Sequence, residues 1–225
     1  HSPWTGHPRE IVESYDDCPF RSCPQECAHP WTTPHMRRYF GDRESLKGYF
    51  AAVTGADAGV GRLLDALDRL GLRRNTLVVF TSDNGFSCGQ HGIWGKGNGT
   101  FPLNMYENAI KVPLIVSHPG RVPTGKVTQA MMSQYDFMPT LLDYLCLPGV
   151  EDENLPGTSY AAVWAGRKDE ARQEVVVYDE YGPVRMIRTP EWKYVHRYPY
   201  GPHELYHLPS DPAERSNLVD EKSRA

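Results

Sequence analysis

The chain has 225 residues, with 24 Lys and Arg against 28 Asp and Glu, a formal net charge of −4, and nine His besides. That mild acidity excludes a nucleic-acid binder working through a broad basic surface. A hydrophobic fraction of 40%, with 11% aromatics, excludes a wholly disordered chain. No apolar run approaches the roughly 20 residues needed to span a bilayer. The 20 Gly and 19 Pro imply many loops, and five Cys are too few, and odd in number, for a disulfide scaffold.

Residues 1–42 are rich in Pro, His, Cys and aromatics and show no sustained period, so they read as a long loop with one helical turn around residues 9–15. Cys18, Cys23 and Cys27, with His29 and His35, lack the paired-hook spacing of zinc ribbons and fingers, which leaves loop thiols or a disulfide. From Glu44 the apolar residues Phe50, Val53, Val60, Leu63, Leu64, Leu67 and Leu70 recur at steps of three and four, predicting an amphipathic helix stopped by Gly71. Asp57 falls on that stripe and reads as a carboxylate bonded to a neighbouring loop backbone.

Residues 76–82 form a continuous apolar run rich in β-branched residues, suited to a strand buried on both faces. It ends in Asp83-Asn84-Gly85, where an α/β fold places its ligands, beyond the carboxyl end of a strand. One carboxylate and one amide oxygen are hard donors suited to Ca²⁺ or Mg²⁺. A simple Asx turn explains the same three residues. The stretch 85–103 carries six Gly around His91 and Lys96. A Gly-flanked Lys can approach an anion closely with three donors, although a carbonyl-bonded loop His and a solvated Lys are the plainer readings. No Walker pattern and no Gly-x-Ser-x-Gly elbow is present.

Residues 104–111 predict a short helix and 112–117 a strand with Pro113 near its start. Asp136 is expected to cap a helix with Pro139 in its first turn, burying Phe137, Leu141, Leu142 and Leu145. The texture changes past 151. Short strands at 174–180, 184–188, 192–197 and 204–208, separated by Gly and Pro turns, predict a small antiparallel sheet. Residues 212–225 are polar and end in a short helix or disorder.

Order and spacing carry more than any single motif. Ser82-Asp83-Asn84-Gly85, then His91-Gly92-Ile93-Trp94-Gly95-Lys96-Gly97, then Tyr106-Glu107-x4-Val112-Pro113-Leu114-Ile115-Val116 resembles the second half of a formylglycine-dependent sulfatase, of the alkaline-phosphatase-like superfamily. The resemblance extends to Asp57-x2-Val60-Gly61-x2-Leu64, to Ser133-x2-Asp136-x2-Pro139-Thr140, to Arg188-Thr189-x2-Trp192-Lys193-Tyr194, and to Glu204-Leu205-Tyr206-x4-Asp211-Pro212-x-Glu214-x2-Asn217-Leu218. It implies an α/β fold: part of a mixed, mostly parallel sheet flanked by helices, plus a small C-terminal antiparallel sheet with a terminal helix. Residues 1–150 would be the carboxyl part of the catalytic domain and 151–225 a C-terminal subdomain.

The resemblance also implies roles. Asp83 and Asn84 correspond to two ligands of a divalent metal, Ca²⁺ in most of this family and Mg²⁺ otherwise. Lys96 corresponds to a lysine contacting the sulfate oxygens. His1, in His1-Ser2-Pro3-Trp4, is similar to a histidine that binds sulfate and assists the leaving group, and His91 matches a His-Gly of the same loop, a candidate substrate contact. The substrate would be a sulfate ester such as a glycan or aryl sulfate, with no nucleic acid and no membrane span involved.

One departure is decisive for activity. The family makes its nucleophile from Cys or Ser within Cys/Ser-x-Pro/Ala-x-Arg, oxidised to formylglycine, and none of the five Cys has that context. The early metal-binding aspartates also have no counterpart. The expectation is therefore a carboxyl portion that holds about half an active site, is inactive alone, and is completed by an amino-terminal half or companion chain carrying the formylglycine. Such a portion would expose the edge and apolar faces of the 77–81 strand. A phosphate or phosphonate ester hydrolase of the same superfamily and a non-catalytic anion- or partner-binding fragment are the other readings; a Cys-x-Pro-Ser-Arg stretch upstream would select the sulfatase.

Overall fold

A computed structural model describes residues 4–149, 155–167, 172–179 and 181–222. The backbone divides into two units, one comprising residues up to Thr76 with Phe80–Leu114, the other Leu77–Val79 with Ile115 onward. Among the described residues, no helix is long and apolar enough to cross a membrane.

The first unit is organised around a long helix. Helix α1 (Arg9–Glu13) is the helical turn expected near the start, and α2 (Arg43–Arg69) is the predicted amphipathic helix. Asp42 caps α2: its side chain accepts from the Glu44 N–H at 3.3 Å and from the Ser45 hydroxyl. The helix buries Leu46, Gly48 and Ala51 near its start. Its later stripe stays outside: Val53 and Leu70 are exposed, and Leu63 is 68% exposed. Asp57 is exposed as well. The period is helical as expected, and Val60, Leu64 and Leu67 of the same stripe are half-buried.

The opening segment is more than a covering loop. Besides α1 it forms a 3₁₀ turn (Pro34–Tyr39), and it supplies much of the core. Phe20, Cys23 and Tyr39 cluster with Leu46, Cys88 and Trp94, and Trp4, Tyr15, Tyr49, Phe50 and Phe86 pack against them. Trp4 makes edge-on ring contacts with Tyr39, Tyr49 and Phe86 at 5.2–5.9 Å. Aromatic residues dispersed through a Pro-rich segment carry no period, yet their large apolar area finds one centre.

Strand β1 (Val78–Thr81) runs to the Asp83-Asn84 turn. The Gly-rich stretch after it contains a hairpin that periodicity does not reveal, β2 (Ser87–Cys88) antiparallel to β3 (Trp94–Gly95), with Cys88 opposite Trp94. Helix α3 (Glu107–Ile110) follows.

In the second unit, which includes Val78 and Val79 of β1, β4 (Leu114–Ser117) is the sheet neighbour of β1. Phe80 of β1 is 45% exposed and Ile115 of β4 is 59% exposed, so this small sheet presents uncovered apolar side chains. Helix α4 (Phe137–Tyr144) starts after a capping box in which Ser133 Oγ accepts from the Tyr135 N–H and Asp136 Oδ2 from the Ser133 N–H. Asp136 also accepts from the Thr158 N–H at 2.8 Å and pairs with Arg172 at 2.7 Å, which is how a fully buried carboxylate is satisfied. Phe137 and Leu145, expected to be buried by α4, are exposed; the helix buries Thr140 instead. Helix α5 (Ala161–Trp164) follows.

The antiparallel sheet is as expected: β5 (Val175–Tyr178), β6 (Val184–Arg188), β7 (Trp192–Arg197) and β8 (Glu204–His207) lie side by side in chain order. Its buried face alternates with the strand period and includes Val184, Met186, Val195 and Tyr206. It also takes two cations, each neutralised. Lys193 pairs with Glu214 at 2.5 Å, and Arg197 with Glu204 at 3.1 Å. A short helix, α6 (Val219–Lys222), closes the described chain.

Candidate active site

The site lies where β1 ends, in the first unit. Asp83 and Asn84 form an Asx-type turn: the Asn84 N–H donates to Asp83 Oδ1 at 2.9 Å, and Ser82 Oγ donates to the same oxygen at 3.3 Å and to the Asn84 carbonyl at 2.9 Å. The Asn84 amide is oriented because its Nδ2 donates to the Gly85 carbonyl at 2.9 Å, turning Oδ1 the other way. Lys96 meets that oxygen, Nζ donating to Asn84 Oδ1 at 3.2 Å. Asp83 is exposed, while Asn84 and Lys96 are half-buried.

Two close approaches build this geometry. A Cβ on Gly85 would sit 2.1 Å from the Asn108 carbonyl oxygen, and its N–H donates to the Ala109 carbonyl at 2.9 Å, so the turn is seated against α3. Gly92, at a φ of +66°, would place a Cβ 1.9 Å from the Cys27 carbonyl oxygen, so only glycine lets the opening segment pass this close to the hairpin.

Lys96 follows β3 directly and its backbone is fixed from beneath. Buried Asn104 donates through Nδ2 to the Lys96 carbonyl at 3.2 Å, the Gly97 carbonyl at 3.1 Å and Thr100 Oγ1 at 3.2 Å. Asn104 is a positioning residue that sequence inspection misses; an Asn in a Gly-Thr-Phe-Pro-Leu loop has no periodic or motif signature. His91 stands in a tight turn at φ 56° and stacks flat on the Tyr106 ring, centroids 3.7 Å apart at 9°. Of the sequence-predicted site residues, the structure brings Asn84 and Lys96 into contact, with Asp83 adjoining; His91 rests on Tyr106; His1 lies outside the described residues.

The donor set can be tested for a hard divalent cation. The turn offers a carboxylate and an amide oxygen, and the amide oxygen already faces positive charge in the Lys96 ammonium. These oxygens fit such an ion, but only as part of its shell, which needs six or more ligands for Ca²⁺. Among the described residues, no group of three or more His, Cys, Asp or Glu is placed to hold a metal.

Comparison with known proteins identifies the family. The sulfatase family pattern matches residues 6–146, and that of the N-sulphoglucosamine sulphohydrolase C-terminal region matches residues 89–225. Choline-sulfatase of Rhizobium meliloti is 30% identical over 98% of this chain and 44% of its own length, so the chain spans under half of that relative. Among solved structures, one described as the sulfatase yidJ of Bacteroides fragilis superposes with a TM-score of 0.78 at 27% identity, over all of this chain and 48% of that one. Another, solved with its substrate D-glucosamine-2-N,6-O-disulfate, has a TM-score of 0.72 at 29% identity, over 84% of this chain and 38% of that one.

Proposed function

We propose a part in sulfate-ester hydrolysis for this chain, which belongs to the sulfatase family. The observation that carries the proposal is the Lys96 ammonium 3.2 Å from Asn84 Oδ1 at the end of β1, with the Asp83 carboxylate adjoining. That cluster combines a fixed cation for an oxyanion with hard oxygens for a metal.

Lys96 binds and orients a sulfate oxygen as a compact charge with three donors. Asp83 and Asn84 would hold Ca²⁺, with Mg²⁺ as the alternative. When bound, the divalent ion supplies positive charge beside the sulfate group. His91, braced on Tyr106, offers a donor to the substrate. His1 is assigned sulfate binding and proton donation to the departing oxygen. None of the five Cys stands in the context from which formylglycine is made, and the one Ser that does, in Ser117-His118-Pro119-Gly120-Arg121, ends strand β4 and not the turn that carries Asp83 and Lys96. Nucleophile and remaining metal ligands are assigned to further polypeptide. The uncovered Leu63, Phe80 and Ile115 side chains support such a covering partner. The 225 residues alone give no turnover. The substrate class is a sulfated sugar, as in the solved disulfate complex, with choline sulfate as the competitor suggested by the Rhizobium relative.

The test expresses the full-length gene product and follows sulfate release from a glucosamine sulfate, from choline sulfate and from a phosphonate monoester. Sulfate release by the parent and loss of bound metal in Asp83→Ala, measured by elemental analysis, are the expected results. Preference for the phosphonate, or unchanged metal content in Asp83→Ala, would overturn the assignment.

A further inference from the structure

Residues 22–26 and 88–90 run beside one another in the first unit, laced by two glutamines. Gln90 Nε2 donates to the Ser22 carbonyl and Gln90 Oε1 accepts from the Cys88 N–H, both at 2.6 Å. Gln25 Nε2 donates to the carbonyls of both Cys23, at 2.9 Å, and Cys88, at 3.0 Å. The Glu26 N–H reaches the Gly89 carbonyl at 3.4 Å. This lacing sets Cys23 and Cys88 together: both are buried, 7% and 3% exposed, in one cluster with Phe20, Tyr39 and Trp94, and one Gln25 amide holds the carbonyls of both.

The pair is chemically unequal. The hydrogen bond from Cys88 holds the Cys23 thiol down at about 6 despite burial, whereas the same bond and burial push Cys88 upward. A thiolate beside a thiol is the arrangement that undergoes disulfide exchange.

We propose that Cys23 and Cys88 close into a reversible disulfide that fastens the opening segment to the loop carrying His91 and Lys96. The oxidant is a small-molecule disulfide. The Cys23 thiolate attacks one of its sulfurs, forming a mixed disulfide and releasing one small thiolate. Cys88 gives its proton to solvent and attacks Cys23 Sγ, releasing the second small thiolate. Two protein thiols are oxidised and one small disulfide is reduced to two thiols. Cys88 is paired with Trp94 across the hairpin, and Lys96 lies two residues past Trp94, so the bridge anchors the strand that delivers the lysine.

The test incubates the full chain with glutathione disulfide or with excess reduced glutathione, quenches in acid, alkylates the remaining thiols in denaturant and maps the peptides. The expected result after oxidation is a Cys23–Cys88 linked peptide with Cys18, Cys27 and Cys146 alkylated. The oxidised chain should also melt higher by on the order of 5–10 °C, a gain absent in Cys23→Ser and Cys88→Ser. Full alkylation of both cysteines after oxidation, or a dominant link from either to Cys18 or Cys27, would overturn the proposal. Peptide mapping uses the unsubstituted protein, so the linkage is decided even where a serine variant fails to fold.

Discussion

Alanine in place of Gly85 puts a methyl group 2.1 Å from the Asn108 carbonyl oxygen, where ordinary contact begins at 3.4 Å. Either the turn or the α3 backbone must therefore move by about 1.3 Å. That movement pulls the Gly85 N–H from the Ala109 carbonyl, now at 2.9 Å, and carries Asn84, the next residue, with it. Overpacking costs about 1–3 kcal/mol and one lost hydrogen bond about 1 kcal/mol. A total of roughly 2–4 kcal/mol lowers the melting temperature of a chain this size by about 5–15 °C. Because Asn84 Oδ1 meets Lys96 at 3.2 Å, a shift of about 1 Å also separates the amide from the ammonium, a misplacement worth about 100-fold in rate. Calorimetric melting and sulfate release by the full-length protein are the assays. A Gly85→Ala protein that melts within about 2 °C of the parent and turns over equally fast would refute the idea that this close approach seats the site.

Other perturbations separate the chemistry from the scaffold. Lys96→Ala should lower kcat of the full-length enzyme by roughly 100- to 1,000-fold, as for loss of a preorganised charge, while leaving the melting temperature near that of the parent. Lys193→Met removes the buried cation that neutralises Glu214 and should cost about 3–5 kcal/mol in denaturant unfolding, whereas Lys193→Met with Glu214→Leu should recover most of it. Cys23 supplies a pH dependence. Its folded thiol ionises near 6 against an ordinary 9.0, so its contribution to stability is absent below about pH 6, grows as the pH rises, and is complete above 9. Cys88 acts oppositely, holding its proton when folded, so its contribution is lost as the pH rises above 9. Reduced parent and Cys23→Ser protein, melted between pH 5 and 9, should diverge progressively above pH 6; parallel melting curves across that range would remove the shifted thiol.

Much of the fold was legible because strand and helix periods are local. Strands β6 and β7 lie where alternation puts them, although the buried face of β7 holds Lys193 and Arg197, whose partners Glu214 and Glu204 no period could identify. Helix α2 was legible as a helix but not in its burial: a helical period gives the apolar stripe but not its packing partner, and Leu63 on that stripe is 68% exposed. The β2–β3 hairpin was hidden because each strand is two residues long within a glycine-rich stretch. The core role of Trp4, Phe20 and Tyr39 was hidden because aromatic clustering is decided in three dimensions. At the site, Asp83, Asn84 and Lys96 were legible from motif order, whereas the supports beneath them, Asn104 under Lys96 and the α3 carbonyls against Gly85, were not. Those contacts join residues with no shared period, and neither side chains nor glycines announce them.

The most direct measurement is a crystal structure of the full-length protein soaked with calcium and inorganic sulfate. The expected result is a cation on the Asp83 and Asn84 oxygens, with Lys96 Nζ released from Asn84 Oδ1 to bond a sulfate oxygen. A cation and sulfate bound elsewhere, with Lys96 still on Asn84, would contradict the proposed role of this cluster.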